Sequence, residues 1–171
     1  MKRILILLLV SYTVLSCAQE KSNTATTTYI FIRHAEKDLS NPSNSNPALT
    51  NKGKERAIQW SKIIDSLTNS NVSLIYSTDY DRTLATAKPI AEKFNLKIQH
   101  YKPNKLYSKS FRDKSKGKTV VVVGHSNTTP IFINKIIGAE KYKDIADDEY
   151  GKLFEIIISK DDIKEKVYSF N

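Results

Sequence analysis

Short, continuous apolar runs alternate along this chain with longer segments whose apolar residues recur at helical spacing. Tyr29-Ile30-Phe31-Ile32 is a run of the first kind and predicts a buried strand. The stretch Asp38 to Ala48, rich in Asn, Ser and Pro, is a loop. A helix opens at Leu49-Thr50 with Thr50 as its N-cap, and Ala57, Trp60, Ile64 and Leu67 form its buried stripe. Thr68 to Asn71 ends it. Val72 to Tyr76 predicts a second strand, and Ser77 to Asp81 leads into a second helix with Leu84, Ala87, Ala91 and Phe94 on its apolar face. Pro89 should kink that helix. Leu96 to His100 is a short extended piece, and Leu106 to Lys116 a short helix. Val120 to Val123 is another strand. Thr129 to Ile137 is a helix with Pro130 in its first turn and Gly138 at its C-cap. Ala139 to Tyr150 is a polar loop. Leu153 to Ile158 and Val167 to Phe170 close the chain as a hairpin.

Strands alternating with helices predict an α/β three-layer sandwich, with a mainly parallel central sheet, helices on both faces and a C-terminal β-hairpin. The 171 residues allow one such domain, spanning 29–171. The N-terminus is different in kind. Lys2 and Arg3 precede an apolar run from Ile4 to Leu15, then Ser16 and Cys17, which reads as a signal peptide over residues 1–16. Val14-Leu15-Ser16-Cys17 resembles the lipobox of bacterial lipoproteins, and Cys17 is the only cysteine. The reading that follows is a protein exported to the bacterial cell envelope, facing the periplasm or the surface. A lipid on Cys17 would anchor it to the membrane, and residues 17–28 would serve as a flexible tether. A single cysteine leaves the domain no disulfide.

The formal charge is +9, and +7 once Lys2 and Arg3 are removed. The excess is scattered lysine. It forms no basic stripe with interleaved aromatics, so nucleic acid is not an expected partner. It is suited to steering small anionic substrates. Arginine is scarce beyond residue 3: only Arg33, Arg56, Arg82 and Arg112 occur.

Two of the three histidines, His34 and His125, directly follow the strands that end at Ile32 and Val123, after Arg33 and Gly124 respectively. In a parallel sheet both would emerge at one edge, where ligands bind. Arg82 opens the helix after the second strand and would reach the same edge. Helix N-termini there favour phosphate, and arginines grip its oxygens in bidentate fashion. Arg33, Arg82, His125 and Asn127 are the candidate phosphate-binding residues. A neutral histidine can attack phosphorus, while a protonated one would stabilise the equatorial oxygens. Either histidine alone reads as a structural group; both together, with two arginines, do not. His100 reads as a surface residue. A metal hydrolase with His34 and His125 as ligands lacks a neighbouring ligand cluster of normal spacing, so no metal or other cofactor is expected.

The pieces Phe31-Ile32-Arg33-His34-Ala35-Glu36-Lys37, Leu49-Thr50-Asn51-Lys52-Gly53 with Arg56-Ala57, Tyr76-Ser77-Thr78 with Arg82-Thr83, and Val123-Gly124-His125-Ser126-Asn127-Thr128 stand in a telling order. Together they resemble the histidine phosphatase superfamily, also called phosphoglycerate mutase-like, in its small bacterial exported branch. The resemblance implies a phosphohydrolase with His34 as nucleophile, Arg33 and Arg82 on the phosphoryl group and His125 completing the pocket. A non-catalytic phosphate-binding module and a phosphomutase are the alternatives. One departure matters. Many members carry a proton-donating carboxylate just after the second histidine or before the strand that precedes it. Here Ser126 takes the first place, and Lys102 to Tyr107 offers no acid at the second. Glu36, Asp79, Asp148 and Glu149 are the candidate donors, Glu36 reading more naturally as the partner of a basic group. Without a donor, alkyl phosphates would be poor substrates.

Overall fold

The structure, a computed structural model, describes residues 25–105 and 107–170. The predicted signal peptide, Cys17 and the tether up to residue 24 lie outside the described residues. In chain order the elements are β1 (Thr27–Arg33), α1 (Asn51–Thr68), β2 (Leu74–Ser77), α2 (Asp81–Phe94), β3 (Ile98–His100), a 3₁₀ turn (Pro103–Lys105), α3 (Lys109–Ser115), β4 (Thr119–Gly124), α4 (Thr128–Ile137), β5 (Lys152–Ile158) and β6 (Ile163–Ser169).

One six-stranded sheet runs in the order β3-β2-β4-β1-β5-β6. The first four strands of that order are mutually parallel; β5 is antiparallel to β1, and β6 to β5. The side-chain period of two divides each central strand between the faces. Ile30, Ile32, Val121 and Val123 meet Trp60 and Ile64 of α1 and Ala87 and Ile90 of α2. Tyr29, Phe31, Val120 and Val122 meet Phe111 of α3 and Phe132, Ile133 and Ile136 of α4. Right-handed crossovers require this sorting. The chain steps from β1 to β2 to β3 in one direction and puts α1 and α2 on one face, then turns back to β4 and puts α3 on the other.

The three-layer architecture and the hairpin are as the sequence predicts, with two differences of extent. α3 begins only at Lys109, because Ser108 caps it by accepting from the Phe111 N–H at 3.3 Å. β6 begins at Ile163 rather than Val167. Its charged stretch pairs as an edge strand, where Tyr168 donates to Glu155 at 2.9 Å and Lys166 lies 3.8 Å from the same carboxylate. A charged edge needs no apolar alternation and protects against further pairing. α2 continues through Pro89 to Phe94.

The N-terminus of α1 is fitted closely to the segment after β1. Thr50 caps it by accepting from the Gly53 N–H at 3.0 Å, while the Thr50 N–H donates to Glu36 O at 2.9 Å. A Cβ on Gly53 would stand 2.3 Å from that same carbonyl oxygen. Gly53→Ala should therefore force the helix off the Glu36 segment and cost about 1–3 kcal/mol, the scale of overpacking. A lowered urea midpoint in circular dichroism is the expected result.

Candidate active site

Parallel pairing of β1 with β4 sets Arg33 opposite Gly124, so the residues that follow, His34 and His125, leave the sheet side by side. The His34 N–H donates to Gly124 O at 2.9 Å, extending the ladder one step beyond the strands. From here the chain departs towards α1 on one face and α4 on the other, and a crevice opens between them. A cavity of about 390 Å³ lies there, its wall including His34, Lys37, Tyr80, Arg82, His125 and Asp144. Gly124 is required by crowding: a Cβ would lie 2.8 Å from both Thr129 Oγ1 and Tyr101 Oη.

His34 is 3% exposed. Its Nδ1 lies 2.8 Å from Ala35 O, an atom that can only accept, so Nδ1 carries the proton and Nε2 keeps a free lone pair. The Ala35 N–H donates to Thr86 Oγ1, and Thr86 donates to Arg82 O, which ties this turn to α2. Burial, followed by the charges of Arg33 and Arg82 and the neighbouring His125, pushes the His34 pKa down to about 3. The imidazole is neutral at ordinary pH.

His125 stands with its ring centroid 5.6 Å from that of His34. Its Nε2–H donates to Thr78 Oγ1 at 2.9 Å; Thr78 donates to Thr83 Oγ1, and Thr83 to Thr78 O. Nδ1 faces Arg82 Nη2 at 3.4 Å. This relay defines a neutral ring. Burial, with Arg82, Arg33 and Lys37, lowers its pKa to about 4. In this ligand-free state burial and the neighbouring cations oppose a charge on His125; the protonated form expected during reaction is the one an arriving anion would favour.

Both arginines are near the histidines but are held differently. Arg82 lies over the Tyr80 ring at 4.6 Å, and its Nε and Nη1 are buried without a partner among the described residues. Such donors are suited to the oxygens of an anion. Arg33 is 1% exposed and is not in the cavity wall. Its Nη1 donates to the carbonyls of Ala146 at 2.6 Å, Glu149 at 3.2 Å and Asp147 at 3.3 Å, and its guanidinium lies 4.3 Å over the Tyr150 ring. Only its Nε is buried and unpartnered. Asn127 lines the cavity and caps α4, accepting from the Thr128 N–H at 2.8 Å.

The four carboxylates expected as proton donors are not in the cavity wall. Glu36 takes both bonds of Arg56 Nε, at 2.8 and 2.9 Å. Asp79 faces His100 at 3.5 Å in an exposed position. Asp148 and Glu149 line a separate cavity of about 240 Å³, and Glu149 pairs with Lys152 at 2.8 Å. The wall instead contains Asp144, together with Lys37 and Tyr80. Reading the sequence had missed all three. Asp144 has no periodic signal within a polar loop, whereas Tyr80 stands directly before the Asp81-Arg82 pair and could have been noted. Among the described residues no group of three or more His, Cys, Asp or Glu side chains is placed to hold a metal ion.

Residues 29–103 match the sequence model of the histidine phosphatase superfamily (branch 1). No curated protein matches the chain in sequence. Several solved structures share the fold. A putative phosphohistidine phosphatase SixA from Agrobacterium tumefaciens superposes with a TM-score of 0.61 at 16% identity, over 84% of this chain and 99% of the other. A mycobacterial glucosyl-3-phosphoglycerate phosphatase gives 0.62 at 12%, over 85% and 99%. A phosphoserine phosphatase variant from Entamoeba histolytica, in complex with phosphoserine, gives 0.59 at 16%, over 85% and 96%.

The two depressed histidines make stability pH-dependent. Unfolded, each takes up a proton near 6.5; folded, only near about 3 and 4. Between these values the unfolded chain binds more protons, so stability falls as pH drops through 6.5. The urea midpoint should fall between about pH 7 and about pH 5, and His34→Gln should make that fall shallower.

Proposed function

We propose that this chain, with the histidine phosphatase signature over residues 29–103, is a phosphohydrolase that works through a phosphohistidine on His34. The observation that carries the reading is the bond from His34 Nδ1–H to Ala35 O, which leaves a neutral, buried Nε2 lone pair beside two arginines. Nε2 attacks phosphorus in line, and the bond to the leaving group breaks as the N–P bond forms. The Nδ1–H keeps donating to Ala35 O, which stabilises the positive charge gained by the ring. Arg82, with its two unpartnered nitrogens, binds the equatorial oxygens. Arg33, buried behind the wall, contributes its charge and holds the loop 146–149 against the site. Water then cleaves the N–P bond and releases phosphate. None of these steps calls for a metal ion.

The substrate is a small phosphorylated molecule: a phosphomonoester, a phosphoanhydride or a phosphoramidate. The cavity volume and the cationic wall of Lys37 and Arg82 support that size and charge. The fold neighbours named for phosphohistidine, phosphoserine and glucosyl-3-phosphoglycerate fall within the same range.

Phosphohistidine survives alkali and is lost in acid, so an alkaline quench during turnover of p-nitrophenyl phosphate, followed by peptide mass spectrometry, is the direct test. Phosphate on His34 is expected, and His34→Ala should be folded and inactive. A phosphate on serine, or none during turnover, would overturn the mechanism.

The protein acts from the cell envelope, by the same proposal, held by a lipid on Cys17. Wild-type protein should sediment with membranes, and Cys17→Ser should release it. Wild-type protein found soluble outside the cytoplasm would exclude the anchor.

A further inference from the structure

We infer that Asp144 is the general acid of this site, and that the substrates it serves are phosphate monoesters of ordinary alcohols. This rests on the phosphohydrolase reading above. Asp144 is the carboxylate in the wall of the cavity that holds His34, Arg82 and His125. It comes from the connection between α4 and β5, the segment that also carries Asp148 and Glu149, which line a different cavity.

Asp144 is exposed, and the connection that carries it is anchored on both sides. Asn134, buried in α4, clamps its start: Oδ1 accepts from the Tyr142 N–H at 2.9 Å and the Lys141 N–H at 3.2 Å, while Nδ2 donates to Tyr142 O at 2.8 Å. The next fixed point is Ile145. Its side chain is 4% exposed within the core of the α3/α4 face, and its N–H donates to Ser126 O at 3.0 Å, one residue beyond His125. Asp144 lies between these two fixed points, its backbone tied to the same loop that carries His125. Just beyond it, the carbonyls of Ala146, Asp147 and Glu149 receive Arg33. One segment therefore positions both an arginine of the phosphate site and an acid.

The step balances as follows. His34 Nε2 forms the bond to phosphorus as the P–O bond to the alcohol breaks. The Asp144 carboxyl proton moves to the departing oxygen, giving a neutral alcohol, a phosphohistidine and a carboxylate. The carboxylate then takes a proton from the water that attacks phosphorus, which restores the acid, frees Nε2 and releases phosphate. An acid so placed typically contributes ~10²–10⁴-fold where the leaving group is a poor one.

The test is a series of aryl and alkyl phosphates of graded leaving-group pKa, run on the full domain, with His34 phosphorylation measured alongside. Wild type should show a shallow dependence of kcat/KM on leaving-group pKa. Asp144→Asn should show a steep one, losing at least ~10²-fold more on alkyl phosphates than on p-nitrophenyl phosphate, whose anion leaves unprotonated. Asp144→Glu should recover part of the alkyl rate. A variant that still labels His34 with p-nitrophenyl phosphate is folded, so a lost alkyl rate there is chemical. Parallel slopes in wild type and Asp144→Asn, with His34 labelled in both, would overturn the inference and leave the phosphohistidine reading intact. Absence of turnover and of label in wild type would overturn both.

Discussion

The site depends on the parallel pairing of β1 with β4. Six consecutive partners, from Thr28 opposite Thr119 to Arg33 opposite Gly124, fix the register. A slip of β1 by one residue would exchange the faces of all its side chains, placing the Tyr29/Phe31 set against α1 and α2. Register is thus enforced by two cores at once. The ladder ends with the His34 N–H on Gly124 O, which brings two histidines 91 positions apart in the sequence to neighbouring places.

Having brought them together, the fold must keep both imidazoles neutral. It does so by burial and by cations. Each histidine is pushed well below the ordinary value of 6.5, first by desolvation and then by the arginines. The arrangement is destabilising for the protein alone, since unfolded histidines hold their protons more tightly. It is favourable for chemistry, because the same buried cations that depress the histidines attract an anion. The unpartnered nitrogens of Arg82 and Arg33 express the same compromise. Buried donors without partners are costly, and such cost is concentrated where a ligand completes the bonding.

The connection from α4 to β5 organises the open side of the site. Arg33 is held by three of its carbonyls and by the face of Tyr150, and Ile145 anchors it to the core. On the opposite side, Glu36 is bound by Arg56 and its carbonyl receives Thr50, so the segment after β1 is clamped to α1. The two histidine turns are therefore braced by side-chain to backbone bonds at Arg33 and by an ion pair and a backbone bond at Glu36.

The architecture was legible in the sequence because strands buried on both faces must be continuously apolar and the helices against them must be striped. Tyr29–Ile32, Val120–Val123 and the Ala57/Trp60/Ile64 spacing carry that information locally. The placement of His34 was legible for a related reason, since a residue just beyond a buried parallel strand has only one edge to reach. What the chain alone could not reveal was which carboxylate faces the histidines. Glu36 lies two residues from His34, yet Arg56 turns it away; Asp144, 110 positions from His34, is delivered to the cavity by a loop with no periodic pattern. The sequence by itself thus determined the fold class, the sheet edge and the two histidines, all consequences of which residues must be buried. Tertiary structure alone decided the surroundings of His125, the holding of Arg33 and the place of Asp144. Those depend on distances between side chains that no periodicity encodes.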